Sequence, residues 1–297
     1  LTLALLPNTS ANMSDTNSAN QAHSAVSQPA SGDAKPSGQT KDEGSFLWFL
    51  VKLVVVVLIF RTFVFSSFSI PSESMMPRLL VGDYLFAAKW PYGYSRASVP
   101  FDLPLIPGDA LRGLPARGDV VIFKHPVDRT DYVKRVIGLP GETIQLVNGV
   151  VHIDGVPVKK EKVADFVQPI SAEGGCFSVE FTVRQTDGSF ACRYPRYRET
   201  LPNGVVHYTL DIGLTLQDTT QPVVVPEGRL FLMGDNRDNS LDSRFPAEAG
   251  RGVGLVPVEN LVGRAGVMFF STDGSAEWLK PWTWFTAARW NRIGKSI

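Results

Sequence analysis

The sequence predicts a mainly β protein, an antiparallel β-sheet domain carried by one N-terminal transmembrane helix. Three observations lead there. The 297 residues include 26 glycines and 21 prolines set between many short apolar runs, a rhythm of strands and turns. Asn148-Gly149 and Asp154-Gly155 are dipeptides that close two-residue antiparallel hairpins. Strand and helix signals do not alternate as in a parallel sheet, and no repeat of roughly 20–50 residues is visible.

Residues 1–45 are rich in Ser, Ala, Asn, Gln, Thr and Gly. Such a segment buries too little apolar area to offset its ordering entropy and is expected to be a disordered polar tail. The opening "LTLALLP" is too short for a signal peptide and lacks a basic start, and Met13 is a candidate start. Residues 46–66 are expected to span a membrane. Phe46 to Phe65 supply the roughly 20 apolar residues a bilayer requires, interrupted by Lys52 and Arg61, which lie near enough to the ends to snorkel. Trp48 suits the interface. A core helix or a cleavable signal sequence fits less well, given the four consecutive valines and the long polar lead-in. Lys35, Lys41 and Lys52 lie on the N-terminal side, whereas no basic residue follows Arg61 until Arg78. The positive-inside tendency therefore leaves the tail in the cytoplasm and exports the rest, although Arg61 opposes it.

Residues 67–277 read as the β-rich domain. Gly118 to His125, "GDVVIFKH", is a buried strand, Thr143 to Val158 holds the two hairpin turns, and strands flank Pro226-Glu227-Gly228. Residues 278–297 combine Trp278, Trp282, Trp284 and Trp290 with Lys280, Arg289, Arg292 and Lys295. That mixture suits a membrane surface and equally a terminal segment packed on the domain.

Charge and composition exclude several functions. Lys plus Arg equals Asp plus Glu at 29 each, so net charge gives no reason to expect a nucleic-acid or polyanion partner. The four histidines and two cysteines lack metal-ligand spacing, so no metal and no cofactor is expected. Cys176 and Cys192 would be free thiols in the cytosol. On an exported domain they are expected to form a disulfide.

Three polar segments interrupt the β pattern: "PSESMMP" (Pro71 to Pro77), "DYVKRVIGLPGE" (Asp131 to Glu142) and "GDNRDNSLDSR" (Gly234 to Arg244). In the second, period-two alternation puts Tyr132, Lys134 and Val136 on one face and Val133, Arg135 and Ile137 on the other. Adjacent cations on opposite faces of an apolar strand force at least one into poorly solvated space. A desolvated lysine loses its preference for the charged form and becomes a competent general base. The plain alternative is a solvated edge-strand lysine. The third segment is dense in mixed charge. It fails as a calcium loop, because Leu241 stands where the sixth position needs glycine and Ala247 where the twelfth needs glutamate. A rigid, self-paired loop that orients another group fits better than a solvated one.

In this order the three segments resemble the conserved boxes of bacterial type I signal peptidases. The likeness extends to "RGDVVIFKHP", "VPEGRLFLMGDN" and "GLVP" and covers roughly Phe68 to Phe270. It implies a membrane-bound serine endopeptidase that removes signal peptides from exported preproteins. Ser74 would be the nucleophile and Lys134 its base. Ser72 would join the Ser74 backbone N–H in an oxyanion hole, and Ser240 would hydrogen-bond and aim the lysine amine. Asp235 with Arg135 and Asp242 with Arg244 match supporting ion pairs. Phe68, Ile70, Met75, Leu79, Tyr132 and Val133 fall where substrate pockets are lined. The implied setting is the extracytoplasmic (periplasmic) side of a bacterial inner membrane, with preprotein signal peptides, the phospholipid bilayer and the export machinery as partners. Glu73, Arg78 and Glu142 depart from the usual glycine, threonine and aspartate. Glu73 is expected to point to water. A specialised processing peptidase, acting on a pilin or conjugation protein, and an inactive membrane-tethered scaffold are the alternatives. A Ser-His-Asp site built on His125 or His152 lacks a recognisable triad context.

Overall fold

A computed structural model describes residues 43–63, 65–93, 113–170, 175–277 and 279–297. The tail read over residues 1–45 lies outside the described residues up to residue 42, as does Trp278. The chain divides into two units, Leu1–Phe46 and Leu47–Ile297, and the β architecture belongs to the second. Helix α1 (Glu43–Phe63) is followed by β1 (Phe65–Ser69), β2 (Asp83–Ala88), β3 (Val120–Lys124), β4 (Asp131–Gly138) and β5 (Thr143–Val147). Next come β6 (Val150–Ile153), β7 (Val156–Pro157), β8 (Lys159–Pro169), β9 (Thr182–Arg184), β10 (Phe190–Thr200) and β11 (Val206–Leu210). The last elements are β12 (Val223–Val224), β13 (Arg229–Met233), β14 (Val256–Pro257), β15 (Leu261–Ser271) and the short α2 (Thr283–Ala287).

The mainly β, antiparallel class expected from the turn pattern is the class observed. Among the described residues the strands form one seven-stranded sheet, ordered β1-β2-β15-β3-β4-β13-β14, and two smaller ones. In one of these β11-β10-β8 pair with β9 alongside, and in the other β12-β5-β6-β7. The two dipeptides act as their chemistry requires. Val147 pairs with Val150 across Asn148 (φ 49°) and Gly149 (φ 74°), and Ile153 pairs with Val156 across Asp154 (φ 51°) and Gly155 (φ 79°). Both turns need two consecutive left-handed residues, the conformation that Asn-Gly and Asp-Gly tolerate best.

Among the described residues no helix is long and apolar enough to cross a membrane. Helix α1 has 21 residues and leaves Phe46 to Val57 exposed, while the side chains of residues 58–63, including Arg61, lie outside the described set.

Strand β15 organises the large sheet. It pairs with β2 on one side and β3 on the other, so the chain's last strand joins two segments far earlier in the sequence. Beneath them Ile70, Met75, Leu79, Leu85, Val120, Ile122 and Val133 form a continuous apolar cluster. A separate cluster of Met76, Leu80, Tyr194 and Leu210 surrounds Cys192, which is bonded to Cys176. The C-terminal segment is fixed by backbone hydrogen bonds from Arg289 N–H to Ser271 and from Asp273 N–H to Ala287. It nevertheless exposes Trp282, Phe285 and Trp290.

The disulfide spans 16 residues. Opening a loop of that size raises unfolded-chain entropy enough to cost about 3 kcal/mol. The Cys176→Ser/Cys192→Ser double variant should therefore unfold at clearly lower denaturant. An unchanged midpoint would show that the bridge contributes nothing.

Candidate active site

Each of the three polar segments is placed by a different part of the sheet. Ser74 lies in the connection from β1 to β2, Lys134 on β4, and residues 234–244 follow β13. After Ser74 the chain winds one helical turn, closed by Leu79 N–H donating to the Met75 carbonyl at 2.9 Å. That turn directs Met75 and Leu79, four residues apart, into the apolar cluster, where both are fully buried. They do not line the cavity beside Ser74, so the expectation that they form its wall is corrected: they are core. Phe68, Ile70, Tyr132 and Val133 do line it.

The cavity holds about 520 Å³, within the range of a small-ligand or peptide-side-chain site. At its base Lys134 Nζ donates to Ser74 Oγ at 2.7 Å and to the Val133 carbonyl at 3.1 Å. Ser72 Oγ lies 3.3 Å from Ser74 Oγ, close enough for a hydrogen bond in either sense. Lys134 is 3% exposed and Arg135, its neighbour, 6%, so the strand buries both cations rather than one. Burial lowers the Lys134 pKa to about 8; Asp242 and Asp235 oppose the shift and Arg244 adds to it. The change from 10.5 corresponds to about 3 kcal/mol against the ammonium form.

Each carboxylate near the lysine is held by an arginine. Arg135 donates through Nε and Nη2 to both oxygens of Asp235, at 2.7 and 2.6 Å. Arg244 grips Asp242 with Nε 2.9 Å from one oxygen and Nη2 3.0 Å from the other. Burial pushes the Asp242 carboxyl up, but Arg244, the Gly234 N–H and Lys134 outweigh it and hold the group below the usual range. Arg237 in turn donates to the buried Glu199, whose pKa falls to about 2 because Arg237 and His207 override its desolvation.

The third segment is fastened directly onto the Ser74 turn. Asn236 N–H donates to the Ser74 carbonyl at 3.0 Å, and Asn236 Nδ2 to the Glu73 carbonyl at 3.2 Å. Glu73, expected to face water, instead accepts a 2.9 Å hydrogen bond on Oε2 from Asn239 Nδ2. Its position between the two serines puts it over the loop, where an amide donor waits. Ser240 is also corrected. It lines the cavity, but its buried Oγ has no hydrogen-bond partner, the lysine amine included; that amine bonds to Ser74 Oγ and the Val133 carbonyl instead. Arg237 Nη1 and Asp238 Oδ1, on residues that line the same cavity, are likewise buried without partners.

Sequence reasoning missed Ile122, Thr215, Gln217 and Phe245, all of which line the cavity. Thr215 and Gln217 arrive from the β11–β12 connection and carry no local signal of chemistry. His125 is excluded as a base by its own bonds: Nε2 donates to the Gly252 carbonyl at 3.1 Å, and Nδ1 accepts from Val127 N–H at 3.2 Å. His152 is occupied with the Val150 carbonyl. Among the described residues no group of three His, Cys, Asp or Glu side chains could hold a metal ion.

Residues 44–270 match the protein family described as "Signal peptidase, peptidase S26". Proteins named Signal peptidase I from Rickettsia massiliae and Rickettsia rickettsii are each 33% identical over 277 residues, covering 86% of this chain and 91% of theirs. The one from Rickettsia typhi is 32% identical over 268 residues, covering 82% of this chain and 90% of its own. A buried serine bonded to a lysine amine, beside a cleft with unpaired polar groups, is the equipment of a serine peptidase. The chain belongs to the signal peptidase family, peptidase S26.

Gly234 is where the loop and the turn come closest. A Cβ there would lie 2.5 Å from the Ser74 carbonyl oxygen and 2.5 Å from Ser240 Cβ. Backbone cannot yield as a flexible side chain can, so Gly234→Ala should displace Ser74. We expect a folded protein, by circular dichroism, whose kcat falls by about tenfold or more, since small misplacements of reacting groups are that costly. Wild-type kcat would show that the contact does not set the geometry.

Proposed function

We propose that the protein removes N-terminal signal peptides from exported preproteins by Ser/Lys-dyad acyl-enzyme catalysis. The observation that carries this reading is the 2.7 Å hydrogen bond from the buried Lys134 amine to Ser74 Oγ. A neutral lysine takes the serine proton as Oγ attacks the scissile carbonyl, and the resulting ammonium returns it to the leaving amine. With a pKa of about 8, roughly one dyad in ten carries a neutral base at pH 7, against fewer than one in a thousand for a free lysine. Ser72 Oγ and the Ser74 backbone N–H stabilise the oxyanion.

The substrate's main chain, running extended along the cleft, is the natural partner for Arg237 Nη1, Asp238 Oδ1 and Ser240 Oγ. In this reading Ser240 addresses substrate rather than the amine. Phe68, Ile70 and Val133 make shallow apolar pockets suited to small side chains such as Ala before the cut. Glu73 and Asn239 act as positioning residues that clamp the loop over the nucleophile's turn.

The membrane setting belongs to the same proposal. The apolar run from Phe46 to Phe65 anchors the chain in the bacterial inner membrane, and the catalytic domain lies on the periplasmic side, where cleavage sites emerge. The exposed Trp282, Phe285 and Trp290 suit the lipid interface. The disulfide fits an oxidising compartment. Preproteins, the bilayer and the export machinery are the partners.

Purified protein incubated with a preprotein should release a mature chain with one new N-terminus. Ser74→Ala and Lys134→Ala should both abolish release, and cleavage at the wild-type rate by either would refute the dyad. Ser72→Ala removes one oxyanion donor and should lower kcat by about 10²–10³ with little change in KM. The pH profile carries its own sign. The base works only when neutral, so kcat/KM should be low at acid pH and rise with pH, half-maximal near the lysine pKa of about 8. A rise delayed to the free-lysine range would contradict the role of burial.

A further inference from the structure

On β4, Lys134 lines the catalytic cavity, whereas the next residue, Arg135, lines a second one. This second cavity holds about 610 Å³ and takes its walls from two sheets. Val120, Arg264 and Met268 come from the seven-stranded sheet, and Phe166, Arg196 and Tyr208 from the β8, β10 and β11 strands.

Its lining is strongly cationic. Four of the cations have carboxylate partners: Arg117 with Glu142, Arg135 with Asp235, Arg264 with Asp119 and Arg292 with Asp83. Arg78, Arg196 and Lys295 line the same cavity and have no carboxylate partner among the described residues. Arg78 donates only to the Ser296 carbonyl, at 2.8 Å. Arg196 donates through Nε to the Ala164 carbonyl at 2.9 Å and lies 5.1 Å over the Tyr208 ring. Asp119, already paired, is the one side-chain carboxylate among the lining residues. Burial, followed by repulsion from Arg135 and Arg292, lowers the Arg78 pKa. Gathering like charges in a concavity costs free energy that an anion would offset.

We propose that this cavity is a binding site for a phosphate group, held by Arg78, Arg196 and Lys295. A phosphate offers several acceptor oxygens and more than one negative charge, which matches planar guanidinium forks and a rim ammonium better than a single carboxylate does. Val120, Phe166 and Met268 supply apolar wall for whatever carries the phosphate. The group can come free in solution or as a lipid headgroup. The site is separate from the dyad, so its occupancy is not required for cleavage.

The test uses the full chain in neutral detergent at low ionic strength, titrated with inorganic phosphate and followed by calorimetry, with chloride at matched ionic strength as control. A second arm measures co-flotation with phosphatidylcholine vesicles with or without phosphatidylglycerol. Arg78→Gln, Arg196→Gln and Lys295→Gln are tested separately, each checked for an unchanged melting midpoint without ligand. Saturable phosphate binding weakened about tenfold by each variant supports the proposal, with signal-peptide cleavage staying within about twofold. A response to phosphatidylglycerol vesicles alone, lost in the same variants, supports it with lipid as the source. If neither probe separates wild type from all three variants, the site does not exist.

Discussion

The rest of the structure serves one contact, the hydrogen bond from a buried lysine amine to a serine hydroxyl. A lysine works as a base near neutral pH only if its charge is disfavoured, and here burial disfavours it by about 3 kcal/mol. One unpaired carboxylate at about 4 Å would stabilise the ammonium by roughly 4 kcal/mol in a protein-like dielectric and cancel that effect. Asp235 and Asp242 are the two carboxylates whose charge raises the Lys134 pKa, and each is gripped at both oxygens by an arginine. The two buried ion pairs therefore keep the lysine's surroundings close to electrically neutral while satisfying the loop's polar groups. Removing either arginine would strand a buried carboxylate beside the lysine.

Geometry depends on the same arrangement. Ser74, Lys134 and the loop after β13 come from distant parts of the chain and meet because β4 pairs with β3 and β13 within one sheet. Met75 and Leu79 hold the Ser74 turn from below, while Asn236, Asn239 and Gly234 hold it from the side. The serine is thereby placed without a histidine, and His125, the residue after β3, is committed to Gly252.

Much of this was legible in the sequence where the signal was local. Asn-Gly and Asp-Gly dictate their own backbone conformations, so the hairpins could be placed to the residue. Adjacent Lys134 and Arg135 in an apolar strand announced burial of charge before any partner was known. Legibility stopped where contacts depend on long-range pairing. Nothing near Thr215 or Gln217 signals that they line the cleft, because the sheet order alone brings them there. The family resemblance put Met75 and Leu79 in the pocket wall, but a single helical turn directs both into the core. Glu73 looked solvated because its amide partner lies 166 residues away. The cationic cavity was invisible for the same reason: its charges balance in the whole-chain count and separate only on folding.

The central claim concerns the charge state of one side chain, which can be measured directly. Isotope labelling of the lysines with side-chain NMR, assigned by Lys134→Arg, would follow the Lys134 Cε and Nζ resonances through a pH titration. The account predicts a titration near pH 8, separate from the other lysines. A Lys134 signal that titrates with them near its ordinary value of 10.5 would show a solvated ammonium and contradict the account.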